Sequence, residues 1–285
     1  MSSKTTFQTE PPSCRLFMIL AREAKTAVIF RRGPSKWTQL IQWDTQSDSF
    51  TYGHWFKGRI YERRCDLSPD GKLLLYFVSK HTHQQNQETY TTAWTAISKL
   101  PWLTALTLWP KGDTWGGGGH FVDAKTVALD HGMNQLQTHV KHPAPRWLKV
   151  LPNKITSEQD KELYTMGLTR AGWRFAQEGH ETLQPEVRVL DHPKRPFRLI
   201  MERSSEGYSQ VERFAVHDLA AKTTLSLEDA DCARWDQRGR LVFIRAGKLF
   251  AGFVAEGELS AKELADFNGQ QPQELDSPAW AKRWE

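Results

Sequence analysis

The segment Cys65-Asp-Leu-Ser-Pro-Asp-Gly-Lys-Leu-Leu-Leu-Tyr-Phe-Val78 constrains the fold more than any other stretch of the chain. An Asp-Leu pair runs into Ser68-Pro69-Asp70-Gly71, whose Pro and Gly suit a tight reversal, and an unbroken apolar run follows. That pattern predicts two antiparallel strands, the second of them buried. The same grammar returns at Cys232-Ala-Arg-Trp-Asp-Gln-Arg-Gly-Arg-Leu-Val-Phe-Ile244, with Gly239 in the place of Gly71 and Leu241 in that of Leu73. A hairpin repeated at distant positions points to an array of small sheets.

The remaining chain divides into units of similar kind. Apolar, β-rich runs at Cys14–Ala21, Thr26–Arg31, Trp37–Trp43 and Phe50–Phe56 read as one four-stranded meander. A second unit starts at Arg59, passes through the Ser-Pro-Asp-Gly turn and ends with runs at Tyr90–Ile97 and Leu103–Trp109. A third opens after Gly116-Gly-Gly-Gly119 with His120-Phe-Val and Thr126–Leu129, and is followed by the charge spacing of a short helix near 156–166, with Ser157 as its N-cap. A fourth contains Glu186–Leu190, Phe197–Met201, Gln210–His217 and Thr223–Leu227. The fifth holds the second hairpin and Lys248–Val254, closed by Leu264–Phe267. Asp44 and Asp218 end equivalent strands and open polar turns, where a carboxylate can accept backbone N–H groups.

Five meanders in succession resemble a β-propeller of the broad WD40-like or TolB-like kind, and Asp66-Leu-Ser-Pro-Asp-Gly-Lys72, Trp43-Asp44 and the partner hairpin at Cys232 carry the resemblance. The Gly-His dipeptide of WD40 blades is missing from its expected places. The expectation is therefore an all-β chain, one domain over 1–285, with about five four-stranded antiparallel blades. Residues 1–13 would form a flexible N-terminus, and 268–285 a closing tail packed across the first and last blades.

Composition narrows the field. Hydrophobic residues make up 39% and charged residues 25%, the balance of a folded chain rather than a disordered one. No stretch is long and apolar enough for a membrane span or a secretory leader, so a cytoplasmic protein is expected. Three cysteines, with Cys65 and Cys232 in different sheets, predict free thiols. The net charge of +5 comes from scattered basic pairs, which argues against a single nucleic-acid footprint. Stacking of a single strand or nucleotide on Trp37 beside Arg31, Arg32 and Lys36 is the weaker alternative.

Candidate binding residues are few. Trp115 and His120 flank the four glycines and would stand at the rim of a central pocket, although the glycines themselves suit a loop that needs close backbone approach. His81 and His83 alternate along an extended stretch, and His120 or His54 could complete a metal-type trio, yet no established metal spacing supports this. No cofactor motif, nucleophile elbow or phosphate loop is present. Asp66, Asp70, Asp231 and Asp236 read as turn or cap residues. The leading expectation is a non-enzymatic scaffold that binds an unidentified protein partner through loops on one propeller face. The alternative is a hydrolase or lyase with histidines in a central pocket.

Overall fold

The computed structural model of the protein describes residues 14–80, 90–153, 159–177, 185–206, 209–255 and 257–284. Strands β1 (Arg15–Leu20), β2 (Thr26–Arg32), β3 (Trp37–Asp44) and β4 (Ser49–Lys57) form the first sheet in that order. The second contains β5 (Arg59–Ile60), β6 (Asp66–Leu67), β7 (Leu73–Ser79), β8 (Ala93–Lys99) and β9 (Thr107–Pro110), with β5 and β6 both paired to β7. The third has β10 (Gly119–Asp123), β11 (Thr126–Leu129) and β12 (Lys149–Pro152), and helix α1 (Gln159–Arg170) follows it. Strands β13 (Arg174–Gln177), β14 (Glu186–Asp191), β15 (Phe197–Glu206), β16 (Ser209–Asp218) and β17 (Thr223–Leu227) form the fourth sheet. The fifth is β18 (Cys232–Trp235), β19 (Leu241–Arg245), β20 (Lys248–Ala255) and β21 (Glu258–Asp266).

The chain is thus all-β with one α-helix among the described residues, in a propeller-like series of mostly antiparallel sheets. Both hairpins form as expected, β6 on β7 and β18 on β19, and their turn glycines share one backbone conformation, with φ of 71° at Gly71 and 73° at Gly239. The two aspartate turns also match. Asp44 Oδ1 accepts the N–H groups of Gln46 and Ser47, and Asp218 Oδ1 those of Ala220 and Ala221.

Uniform four-stranded units do not form. The second and fourth sheets hold five strands each and the third holds three. In the third, β12 runs parallel to β11 because the intervening chain first crosses to the second sheet, where His139 N–H donates to Leu108 O and Leu108 N–H to His142 O. That segment satisfies the outer edge of β9 instead of completing its own meander. The helix runs from Gln159 to Arg170, later than expected, and the proposed cap Ser157 lies outside the described residues, as do 1–13.

The first sheet packs against the second and the fifth, the second against the third and the fourth against the fifth, and strand periodicity decides which neighbour each side chain meets. In β2, Ala27 and Ile29 join the cluster shared with the fifth sheet, whereas Val28 and Phe30 join the one shared with the second. In β7, Leu74, Tyr76 and Val78 face the first sheet, and Leu75 faces the third with Ile97, Trp109 and Phe121. A further cluster unites the fourth and fifth sheets with Tyr164, Leu168 and Trp173.

Among the described residues no strand is shared between the first and last sheets, so side chains hold that seam. Cys14, Leu16, Ile41 and Trp43 pack against Cys232, Val242, Leu249 and Phe267. Arg240, 4% exposed, grips Asp48 of the first sheet with both terminal nitrogens at 2.8 Å and Asp236 of its own with Nε at 2.8 Å. The C-terminal tail departs from expectation. Asn268 accepts the Cys14 N–H at the first–last seam, but the chain continues over the first three sheets. There His54 meets Ser277 Oγ at 3.2 Å, Lys99 donates to Trp280 O at 3.0 Å, and Trp284 packs edge-on against Trp147.

Replacing Asp48→Ala leaves the Arg240 guanidinium buried with half its partners removed, which costs on the order of 3 kcal/mol. Urea denaturation followed by tryptophan fluorescence should show a midpoint lowered accordingly, and an unchanged midpoint would show that the apolar cluster alone holds the first and last sheets together.

Candidate functional site

Helix α1 stands where the sheets converge. Tyr164 packs its ring 6.2 Å from Phe17 of the first sheet and donates its hydroxyl hydrogen to Glu212 of the fourth at 3.1 Å. The Arg63 guanidinium, just before β6, and that of Arg203 each lie 4.6 Å from the same ring, and the charge of Arg234 of the fifth sheet acts on its hydroxyl. Asn153, at the end of the third sheet, reaches Met166 Sδ. One helix thus contacts all five sheets, in the space where the sequence reading placed an open central pocket. Tyr164 and Leu168 are the apolar anchors, and Thr165, Met166 and Arg170 reach the surrounding strands.

At the end of α1, Arg170 Nη1 donates to Asp66 Oδ2 at 3.2 Å. The same oxygen accepts the Phe121 N–H at 2.8 Å, and Arg22 Nη1 stands 3.6 Å away while its Nη2 donates to Phe121 O at 3.2 Å. Asp66 is therefore not a turn residue, unlike Asp70 and Asp236, which bind their own turns. Burial pushes its carboxyl pKa up, while Arg170, Arg22 and the Phe121 N–H oppose that shift. His120, next to Phe121 on β10, feels the same two guanidiniums. Burial first, then Arg170 and Arg22, pull its pKa down to about 4, so its ring is neutral at neutral pH. His120 Nδ1 and Arg170 Nη2 are both buried without a hydrogen-bond partner among the described residues.

The other candidates fall elsewhere. Trp115 is 81% exposed on its loop, and no contact joins it to His120. The glycines between them serve close approach: a Cβ at Gly117 would come within 2.3 Å of the Phe77 ring, and one at Gly118 within 2.3 Å of Arg64 O. His54 sits under the tail. Its Nδ1 accepts the Leu103 N–H at 3.1 Å, so Nε2 carries the proton toward Ser277 Oγ. In that tautomer it cannot take a proton from Ser277, which rules the pair out as a nucleophile and base. His81 and His83 lie outside the described residues, and among those described no group of three His, Cys, Asp or Glu side chains could hold a metal. Arg22, Asp66 and Arg170 were not singled out as binding residues. They are distant in sequence and share no motif, so only the fold brings them together.

No helix of the described chain is long and apolar enough to cross a membrane. No protein-family model and no curated protein matches the chain. Among solved structures it is similar to the β-propeller domain of the trilobed protease from Pyrococcus furiosus, at 8% identity and TM-score 0.30, over 90% of this chain and 100% of that one. It is also similar to the acylaminoacyl peptidase of Pyrococcus horikoshii, at 12% identity and TM-score 0.21, covering 88% of this chain and 45% of that chain's length. Both neighbours are peptidases or parts of one. The expectation of a non-enzymatic scaffold, which rested on analogy with propellers as platforms, is withdrawn.

The depressed His120 pKa has a measurable sign. An unfolded histidine takes up its proton near pH 6.5, whereas the folded one refuses it until about pH 4. Stability should therefore fall as pH drops from about 6.5 to about 4 and change no further below that. The loss from this residue is on the order of 1–3 kcal/mol. His120→Gln should remove this component from the pH profile of thermal unfolding, and a profile that matches wild type would contradict the assignment.

Proposed function

We propose that the five sheets are the blades of a single propeller-like domain spanning 1–285, and that its centre binds a small carboxylate between Arg170, Arg22 and His120. The observation that carries this reading is the pair of buried polar atoms without partners among the described residues, Arg170 Nη2 and His120 Nδ1, beside a carboxylate already shared by two guanidiniums. Buried donors left unsatisfied are costly, and they are rare enough in folded proteins to mark places where a ligand or water is received.

Charge selects the ligand. Arg22 and Arg170 bring two positive charges, Asp66 returns one negative, and His120 is neutral, so one positive charge is left to balance. A carboxylate matches it. One oxygen can accept Arg170 Nη2–H, and the other can accept from His120 in its Nδ1–H tautomer. Asp66 holds the two arginines in place, and the Phe121 N–H fixes Asp66. The free thiols Cys14, Cys65 and Cys232 support a reducing, cytoplasmic setting.

The test is thermal unfolding in sodium acetate, sodium phosphate and sodium chloride at matched ionic strength. Acetate should raise the melting temperature of the wild type in a saturable way, with Arg170→Gln and His120→Gln each weakening the apparent affinity about tenfold, or about 1.4 kcal/mol. Stabilisation by phosphate alone, or equal responses to all three salts, would overturn the carboxylate reading.

A further inference from the structure

Strand β16 is paired on both sides over only part of its length. Against β15 it pairs throughout, with Ser205 opposite Gln210, Ser204 opposite Val211, Arg203 opposite Glu212 and Glu202 opposite Arg213. Against β17, pairing begins only at Phe214, opposite Leu227. From Gln210 to Glu212 the second edge of β16 has no strand beside it among the described residues. In an antiparallel ladder, alternate residues aim both N–H and C=O to the same side, so every second residue here turns its backbone polar groups away from β15.

A cavity of about 720 Å³ lies along this edge. Its far wall is Ser226 to Asp231, where the chain leaves β17 and turns toward β18, and Arg63 and Arg213 stand on its lining. The apolar residues Phe214, Leu227 and Ala230 of that lining belong to the buried cluster beneath. The charge of the walls is uneven. Glu212 is already engaged by Arg203, Arg63 and the Tyr164 hydroxyl. Glu228, Asp229 and Asp231 line the opposite wall, are exposed, and make no ion pair with any described residue. The groove therefore offers a strand edge with no described strand beside it on one side and three exposed carboxylates against two arginines on its walls.

We propose that an extended peptide bearing Lys or Arg at alternate positions adds as a strand to β16 along Gln210–Glu212. Its main chain completes the ladder, and its cationic side chains meet Glu228, Asp229 and Asp231. Three residues of strand span about 10 Å, which sets the length of the recognised core. This groove is lined by different residues from the Arg170–His120 site, so either can fail without the other.

Fluorescence polarisation with a labelled Lys-Val-Lys-Val-Lys-Val peptide tests the proposal, beside the Glu-Val-Glu-Val-Glu-Val counterpart and two versions N-methylated on opposite sets of alternate amides. The lysine peptide should bind with an affinity that falls as salt rises, and the glutamate peptide at least tenfold more weakly. One N-methylated set should weaken binding at least tenfold and the other leave it unchanged, because only one set faces the ladder. Glu228→Lys, an exposed replacement checked for an unchanged melting temperature, should weaken binding several-fold, whereas His120→Gln should not affect it. Equal binding of the two N-methylated forms, equal binding of the acidic peptide, insensitivity to Glu228→Lys, or no saturable binding of the lysine peptide would each overturn the proposal.

Discussion

The fork between Arg240 and Asp48 fixes how the first and last sheets meet, and the rest of the arrangement depends on it. Five sheets built in sequence leave two outward faces, on the first and on the last, and among the described residues no strand crosses between them. Apolar packing around Trp43, Val242 and Phe267 excludes water from the seam, but it sets no angle between the sheets. The guanidinium does. Its plane must meet Asp48 with two nitrogens and Asp236 with the third, so the two sheets can approach in only one relative position. Trp43 Nε1–H, donated to Asp48 at 3.3 Å, ties the carboxylate to the apolar part of the same seam.

The sheets converge on one place, and α1 occupies it. A helix there must satisfy neighbours on several sides at once, which explains why it carries both apolar anchors and polar residues that reach outward. Tyr164 is the clearest case, buried by Phe17 on one side, flanked by Arg63 and Arg203, and bound through its hydroxyl to Glu212. The arginines around the helix outnumber the carboxylates they bind, and where Arg170 meets Asp66 and Arg22 that excess becomes a place for an anion. The same residue that positions the helix end thereby prepares the proposed ligand site.

How much of this could be read in advance depended on whether the determinant was local. The turns at Asp44 and Asp218 could be paired from sequence because each carboxylate bonds N–H groups two and three residues ahead of it. The repeated hairpins were legible for the same reason. The third sheet was not, since β12 could reach its parallel position only after residues 139–142 had bound the edge of β9, an event that no local pattern encodes. At the centre, His120 was visible as a titratable residue beside an unusual loop, but Asp66 read as a cap because its partners, Arg22, Arg170 and the Phe121 N–H, come from three separate parts of the chain.

By itself, the sequence determined the all-β class, the hairpin turns, the matched aspartate turns and the buried second strand of each hairpin. Each of these follows from turn chemistry and from a side-chain period of two, which act over a few residues. The tertiary structure alone decided that a helix takes the centre and that the tail crosses the first three sheets. It also decided that Asp66 serves two arginines and that part of the β16 edge has no described strand beside it. Those outcomes depend on which surfaces meet once the sheets pack together, and burial and charge pairing are properties of that meeting rather than of any one segment.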